Sequence, residues 1–277
     1  MIVWLASYPK SGNTWVRLFL SNLLSSQTDF SINNNNNISQ FPLRSHFKNL
    51  TDNVNDQDEF AKHCIRAQEI INQDNKLKFF KTHNAFWNWG GGKYTFTDEK
   101  NSLGVIHIVR DPRNVITSVL NYYHKENYDH ALEFLIENKV LGGDDTEIGL
   151  PTIVGSWPNH YKSWKKFKKN YLIIKYENLV NNPQNEFFKI TNYLEAISDL
   201  KFEKNKILKT IEECSFKNMS KQEDEFGFND NTKTNKLQKQ KFFDLGPNNK
   251  WEDYLGKEIQ YKIEENFGNE MKELEYL

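Results

Sequence analysis

The feature that most constrains this chain is an alternation of short, wholly apolar runs with amphipathic stretches. Ile2-Val3-Trp4-Leu5-Ala6 ends in Ser7-Tyr8-Pro9, the pattern of a buried strand running into a tight loop. From Thr14 to Leu24, Arg17, Ser21 and Ser25 form one polar stripe at spacing four, and Trp15, Val16, Leu18, Phe19, Leu20, Leu23 and Leu24 occupy the other faces. This predicts a helix with a broad buried side. Leu77 to Lys81, Val105 to Val109 and Leu172-Ile173-Ile174 read as further strands, and a helix is expected around 58 to 73. Asp111-Pro112 and Asn182-Pro183 each open a helix, because Asp or Asn can cap and proline at the first helical position gives up no hydrogen bond. Phe187, Ile190 and Leu194 share one face of the second of these. Leu132, Leu135, Ile136 and Val140 mark another helix, while residues 27 to 58, with the run Asn33 to Asn37, read as a long exposed connection. Strands alternating with helices specify an α/β fold with a central parallel sheet flanked by helices in three layers. With 277 residues, no internal repeat and no linker, the expectation is a single domain over 1–277.

Composition narrows the partners. The net charge is -1 with 26% charged residues. No broad electrostatic footprint for nucleic acid or an anionic membrane is therefore expected, and any anion site must be local. Cys64 and Cys214 are too few for a disulfide framework and suit a reducing compartment. No basic leader precedes the first strand, and no apolar run approaches the roughly 18 residues of a spanning helix. The expectation is a cytoplasmic protein without stable membrane insertion. No cluster has metal-ligand spacing, so no metal is expected.

Three segments carry chemistry, each at a strand end, where ligands bind in parallel sheets. Tyr8-Pro9-Lys10-Ser11-Gly12-Asn13-Thr14-Trp15 joins the first strand to the first helix. Gly12 lets the backbone curl around an anion, Lys10 supplies a full charge, and Ser11, Asn13 and Thr14 offer side-chain donors beside a helix N-terminus. An ordinary turn with a surface lysine has the same ingredients. The segment is not the nucleotide-kinase loop, in which lysine follows the second glycine. Arg110 ends the strand Val105 to Val109 and is a plausible fork for a phosphate, or a partner for a carboxylate. Phe79-Phe80-Lys81-Thr82-His83 ends another strand, and an unperturbed histidine, with a pKa of about 6.5, accepts protons near neutral pH.

Together these segments resemble the 3'-phosphoadenosine-5'-phosphosulfate (PAPS)-dependent sulfotransferase family. Its 5'-phosphosulfate loop reads Tyr-Pro-Lys-Ser-Gly-Thr-Thr-Trp and matches here at seven of eight positions, with Asn13 the exception. Arg110, Ser118 and the pair Tyr122-Tyr123 resemble its 3'-phosphate segment, and Lys81-Thr82-His83 its Lys-Thr-His. Lys175-Tyr176-Glu177-Asn178 resembles the stretch whose tyrosine contacts the adenine. Cys214-Ser215-Phe216-Lys-Asn-Met219 resembles Thr-Ser-Phe-x-x-Met, in which Phe and Met border the adenine. Gly155 to Trp164 resembles a helix of bacterial members, with Trp157 and Trp164 read as packing. The last motif departs most. Where the family has Phe-x-Arg-Lys-Gly-x-x-Gly-Asp-Trp, this chain has Phe242-Phe243-Asp244-Leu245-Gly246-Pro247-Asn248-Asn249-Lys250-Trp251. Gly246 keeps its backbone N–H, and Lys233, Lys236, Lys239 or Lys241 are candidates to replace the lost charges.

The resemblance implies a P-loop-like fold and transfer of a sulfuryl group from PAPS to an acceptor hydroxyl, leaving adenosine 3',5'-bisphosphate (PAP). It gives His83 the part of general base and Lys10 that of leaving-group stabiliser, with Lys81 assisting. The donor site comprises Lys10, Ser11, Gly12, Asn13, Thr14, Trp15, Arg110, Ser118, Tyr176, Phe216, Met219, Leu245 and Gly246. Trp15 is expected to stack on the adenine. The acceptor is a small-molecule, lipid or saccharide hydroxyl, bordered by residues 27 to 58, 84 to 98 and 124 to 154. There Phe86, Trp87 and Trp89 form either a wall or packing. The oligomeric state is left open, a homodimer included. The competing readings are a P-loop nucleotide kinase or NTPase and a non-catalytic nucleotide- or glycan-binding relative, with an RNA binder a distant third.

Overall fold

The computed structural model describes residues 1–26, 29–34, 38–144, 146–230 and 241–277. Five strands make one sheet: β1 (Ile2–Ser7), β2 (Ile38–Gln40), β3 (Lys78–Thr82), then β6 (Ser102–Val109) and β9 (Tyr171–Lys175), the latter two following the small antiparallel pair β4 (Asn88–Trp89) and β5 (Tyr94–Thr95) and flanking the pair β7 (Val140–Leu141) and β8 (Thr152–Ile153). The sheet order is β2-β3-β1-β6-β9, all parallel, with Val3 opposite Phe79 on one side and Gly104 on the other. Chain connections therefore leave β1 in opposite directions, which places the crevice for a ligand at its carboxyl end.

β1 is buried throughout because both sheet faces are covered. Val3 and Leu5 pack with Val16, Phe19 and Leu20 of α1 (Asn13–Leu23) and with Phe187, Ile190 and Leu194 of a helix at Pro183–Ile197. Ile2, Trp4 and Ala6 face Phe60 and Cys64 of α2 (Gln57–Ile71), together with Phe41, Phe96 and Trp164. Trp4 donates its indole N–H to Ser102 Oγ at 2.8 Å, so this fully buried indole leaves no polar atom unpaired. A third cluster joins Val109 to α3 (Pro112–Tyr122), α4 (Tyr128–Ile136), α5 (Trp157–Trp164) and the C-terminal helix Lys257–Glu273.

Several local expectations hold. Asp111 caps α3 through Arg113 N at 2.9 Å, and Asn182 caps the helix at Pro183. Three do not. Arg17 and Ser21 are buried rather than facing solvent, because helices cover α1 beyond the sheet; Arg17 forms an ion pair with Asp230. Val140 lies in β7, since the chain turns extended at Glu137 and ends α4 at Ile136. The connection after α1 contains the edge strand β2, whose three residues show a single buried side chain.

Candidate active site

The loop after β1 owes its shape to two left-handed residues, Lys10 (φ 66°) and Gly12 (φ 97°). Gly12 is required twice over, since a Cβ there would also overlap the ring of Tyr176, the first residue of α6 (Tyr176–Asn181). Helix α1 begins at Asn13, so the N–H groups of its first turn belong to the loop. The Asn13 side chain does not serve a ligand as a donor. Its Nδ2 donates to Leu5 O at 2.9 Å and to Ser7 Oγ at 3.2 Å, pinning the loop onto β1.

One cavity gathers the separated segments. Lys10, Gly12, Asn13, Thr14, Trp15, Lys81, His83, Arg110, Ser118, Tyr176, Phe216, Met219, Leu245 and Gly246 all line it. Of the expected set, Ser11 is not on its wall; its buried hydroxyl sits behind the loop without a hydrogen-bond partner. Trp15 meets Tyr176 and Phe187 edge-on, and these contacts set the plane of its indole. Lys10 Nζ lies 3.6 Å from the centre of the Tyr122 ring and 4.5 Å from that of Phe242. Aromatic faces hold the ammonium but desolvate it. Burial, with Arg110 and Lys81 nearby, pushes the Lys10 pKa down to about 7. Burial and the Arg17 charge push Lys81 down to about 8, against an opposing effect of Asp230. The site is short of negative charge, the condition in which an anionic ligand is most stabilising.

His83 follows β3. Its Nδ1 is 2.8 Å from the Ser7 carbonyl oxygen, which can only accept. The proton therefore resides on Nδ1, and Nε2 carries the lone pair. Burial, and next the Lys81 charge, hold the His83 pKa well below its usual 6.5. At neutral pH the ring is an uncharged acceptor. The backbone beyond it is tied to α5 and β8: Trp164 Nε1 donates to Asn84 O at 2.9 Å, Ile153 N donates to Asn84 Oδ1 at 2.9 Å, and Phe86 N donates to Ser163 Oγ at 2.9 Å. Trp164 thus does more than pack.

Arg110 donates from Nη1 to Lys10 O at 3.0 Å and to Ser118 Oγ at 3.3 Å, and its guanidinium stacks 4.2 Å from the centre of the Tyr176 ring. Carboxylate pairing falls instead to Arg113, which binds Asp111 and Glu264. Gly246 (φ 51°) packs so closely on Phe216 that a Cβ would overlap the ring. Lys241 lines the cavity but is paired with Asp224, and Lys233, Lys236 and Lys239 lie outside the described residues. Arg17, Asn121, Asp230 and Asn249 were not among the expected site residues. The last three line the cavity and Arg17 pairs with one of them, and only Arg17 had a signal, the single charge on a helix with a broad apolar side. Phe86, Trp87 and Trp89 do not line the cavity. Trp87 is buried, Phe86 packs on Trp164 and Phe167, and Trp89 Nε1 donates to Asp58 Oδ1 at 2.5 Å. They are packing.

A phosphorylated nucleotide fits this chemistry. Buried donors at Arg110 Nε and Trp15 Nε1 lack protein partners beside the wall, and the cations cluster at one strand end. Among the described residues, no group of three or more His, Cys, Asp or Glu could hold a metal ion, and no helix is long and apolar enough to cross a membrane.

Comparison with known proteins bears on the whole chain. The family model described as "Sulfotransferase domain" matches residues 2–275. Sulfotransferase 1 family member D1 of Mus musculus is 25% identical over 207 residues, 69% of this chain and 58% of that protein. Cytosolic sulfotransferase 13 of Arabidopsis thaliana is 25% identical over 91% of this chain and 71% of its own length. The chain thus spans 58% of the length of the mouse relative and of the canine sulfotransferase 1B1. Among solved structures, mouse sulfotransferase SULT7A1 complexed with PAP superposes with a TM-score of 0.60 at 20% identity, covering 98% of this chain and 84% of the other. Retinol dehydratase in a complex with retinol and PAP gives 0.58 at 16% identity over 98% of this chain and 81% of that one. At those identities the structural likeness establishes the fold, that of the P-loop-like α/β proteins, with the parallel sheet flanked by helices. The family-wide match establishes more: this chain belongs to the sulfotransferase family.

Proposed function

We propose that the protein transfers a sulfuryl group from PAPS to an acceptor hydroxyl. The observation that carries the reading is that Lys10, Lys81, His83, Arg110 and Ser118, dispersed over about 110 residues of sequence, line one cavity at the carboxyl ends of β1, β3 and β6. The 5'-phosphosulfate lies in the Lys10 loop and the 3'-phosphate at Arg110 and Ser118. Trp15, Phe216 and Met219 border the adenine, a face-on contact with Trp15 being worth about 1–3 kcal/mol by analogy with base stacking elsewhere.

The acceptor oxygen attacks sulfur in line with the bridging oxygen. The new O–S bond forms as the bridging S–O bond breaks, and its electron pair stays on the 5'-phosphate. The acceptor proton goes to His83 Nε2, which is free to take it because Nδ1 holds its own proton against Ser7 O. Lys10 Nζ stabilises the charge that gathers on the leaving oxygen. Catalysis is then positioning and electrostatics. A related chain is named luciferin sulfotransferase in Photinus pyralis and another amine sulfotransferase in Oryctolagus cuniculus, so small molecules are the first acceptors to try here.

The test is calorimetric titration with PAP, with AMP and Mg-ATP as comparisons, followed by an acceptor screen with PAPS that reads PAP release. Preference for PAP with acceptor-dependent release supports the reading. Equal or tighter binding of Mg-ATP overturns it in favour of a kinase, and PAP binding without turnover on any acceptor points to a non-catalytic relative.

A further inference from the structure

We infer that Asn249 is the positioning residue of a 3'-phosphate subsite built mainly from neutral hydrogen-bond donors; this rests on the donor reading above. At that end of the cavity Arg110, Ser118, Asn249, Gly246 and Asp244 share the wall. The family pattern puts an arginine at Asp244, a lysine at Leu245 and a glycine at Asn249. This chain has exchanged two cations for an acid and an apolar residue, and has gained a carboxamide three positions past Gly246.

The carboxamide is buried and its orientation is determined by its partners. Nδ2 lies 3.0 Å from the Asn114 carbonyl oxygen, an obligate acceptor, while Oδ1 accepts from Thr117 Oγ1 at 2.6 Å. The same Nδ2 donates to Ser118 Oγ at 3.3 Å, and Arg110 Nη1 donates to that oxygen at 3.3 Å as well. Two donors use both acceptor positions of the hydroxyl. The Ser118 hydrogen must then point away from both. The acceptor that meets it is an oxygen arriving in the cavity, as a phosphate oxygen would. Asn249 thus turns Ser118 into a committed donor without adding charge.

Fixed dipoles replace mobile cations here, so selectivity for the 3'-phosphate depends on geometry. The test is titration of the full chain with PAP and with AMP, using the unmodified protein, Asn249→Ala, Asn249→Asp, Ser118→Ala and the Asn249→Ala/Ser118→Ala double variant. Asn249→Ala is expected to lose about tenfold in PAP affinity, the scale of one buried hydrogen bond, with AMP affinity retained as the sign of an intact fold. Asn249→Asp, equal in volume but with the donor replaced by a charged acceptor, should lose at least as much. The double variant should be no weaker than Ser118→Ala alone, because Asn249 acts through Ser118. Equal losses for PAP and AMP, or additive losses in the double variant, overturn the inference. Failure of the unmodified protein to bind PAP would instead overturn the donor reading.

Discussion

Binding of PAP should draw protons from solvent, by an amount the site's electrostatics specify. Lys10 is held down to about 7 and Lys81 to about 8, chiefly by burial, with Arg110 and Lys81 acting next on Lys10 and Arg17 on Lys81. A bound bisphosphate supplies the missing negative charge and favours the ammonium form of both. If both return toward the ordinary lysine pKa of about 10.4, uptake is about 0.6 proton at pH 7, about 1.4 at pH 8 and about 1.8 at pH 9. Free phosphate monoesters lose their second proton near pH 6, so over this window the ligand contributes little to the count. The sign follows directly: binding raises the folded-state pKa values, so affinity is greatest at the acid end and falls as pH rises through 7 to 9. The loss steepens from roughly half a log unit per pH unit toward nearly two. The assay is calorimetry at fixed pH in buffers of different ionisation enthalpy, where the slope of observed heat against buffer enthalpy counts the protons. Lys10→Arg, which cannot deprotonate in this range, should leave only the Lys81 share, about 0.5 proton at pH 8. Zero uptake at pH 8 in the unmodified protein would show that both lysines are charged before ligand arrives, and the account of a desolvated, charge-frustrated site would fall.

Four further outcomes follow from particular contacts. His83→Ala should lower turnover by about 10²–10⁴, the usual span for a general base, while PAP affinity stays within a small factor; unchanged turnover with PAP still bound would remove His83 from the chemistry. In the unmodified protein, kcat/KM should fall on the acid side only well below pH 6.5, where His83 protonates, and on the alkaline side above about 7, where Lys10 in the free protein loses its charge. Gly12→Ala should cripple PAP binding, because alanine must adopt φ near 97° and its Cβ meets the Tyr176 ring; binding within threefold of the unmodified protein would show that the loop can reshape. Phe187→Ala should cost about 3–5 kcal/mol in urea unfolding, since Phe187 is fully buried and stacks on Phe19 at 4.0 Å; a loss below about 1 kcal/mol would contradict the packing described.

What the sequence exposed and what it hid differ in physical kind. β1, β3, β6 and β9 were legible because strands covered on both faces must be apolar along their length, as Ile2 to Ala6 is. The Lys10 loop was legible because its backbone geometry restricts residue choice at Gly12. β2 was not, since Ile38-Ser39-Gln40 is an edge strand too short to show a period. Val140 misled because position i+4 from Ile136 continues the helical stripe in sequence after the backbone has left the helix at Glu137. Arg17 misled for a deeper reason. A charge on a helix reads as a solvent face unless its partner is known, and Asp230 lies 213 residues away with no periodic relation to it. Asn249 is the same problem in neutral form. Its worth lies in what its amide does to the hydroxyl of Ser118, 131 residues earlier, and residue type at one position says nothing of a hydrogen's direction at another. Motifs thus reveal groups that touch a ligand directly, whereas residues that orient those groups emerge only when donors and acceptors are counted in three dimensions. For this site, that is where a loss of two cations can be offset.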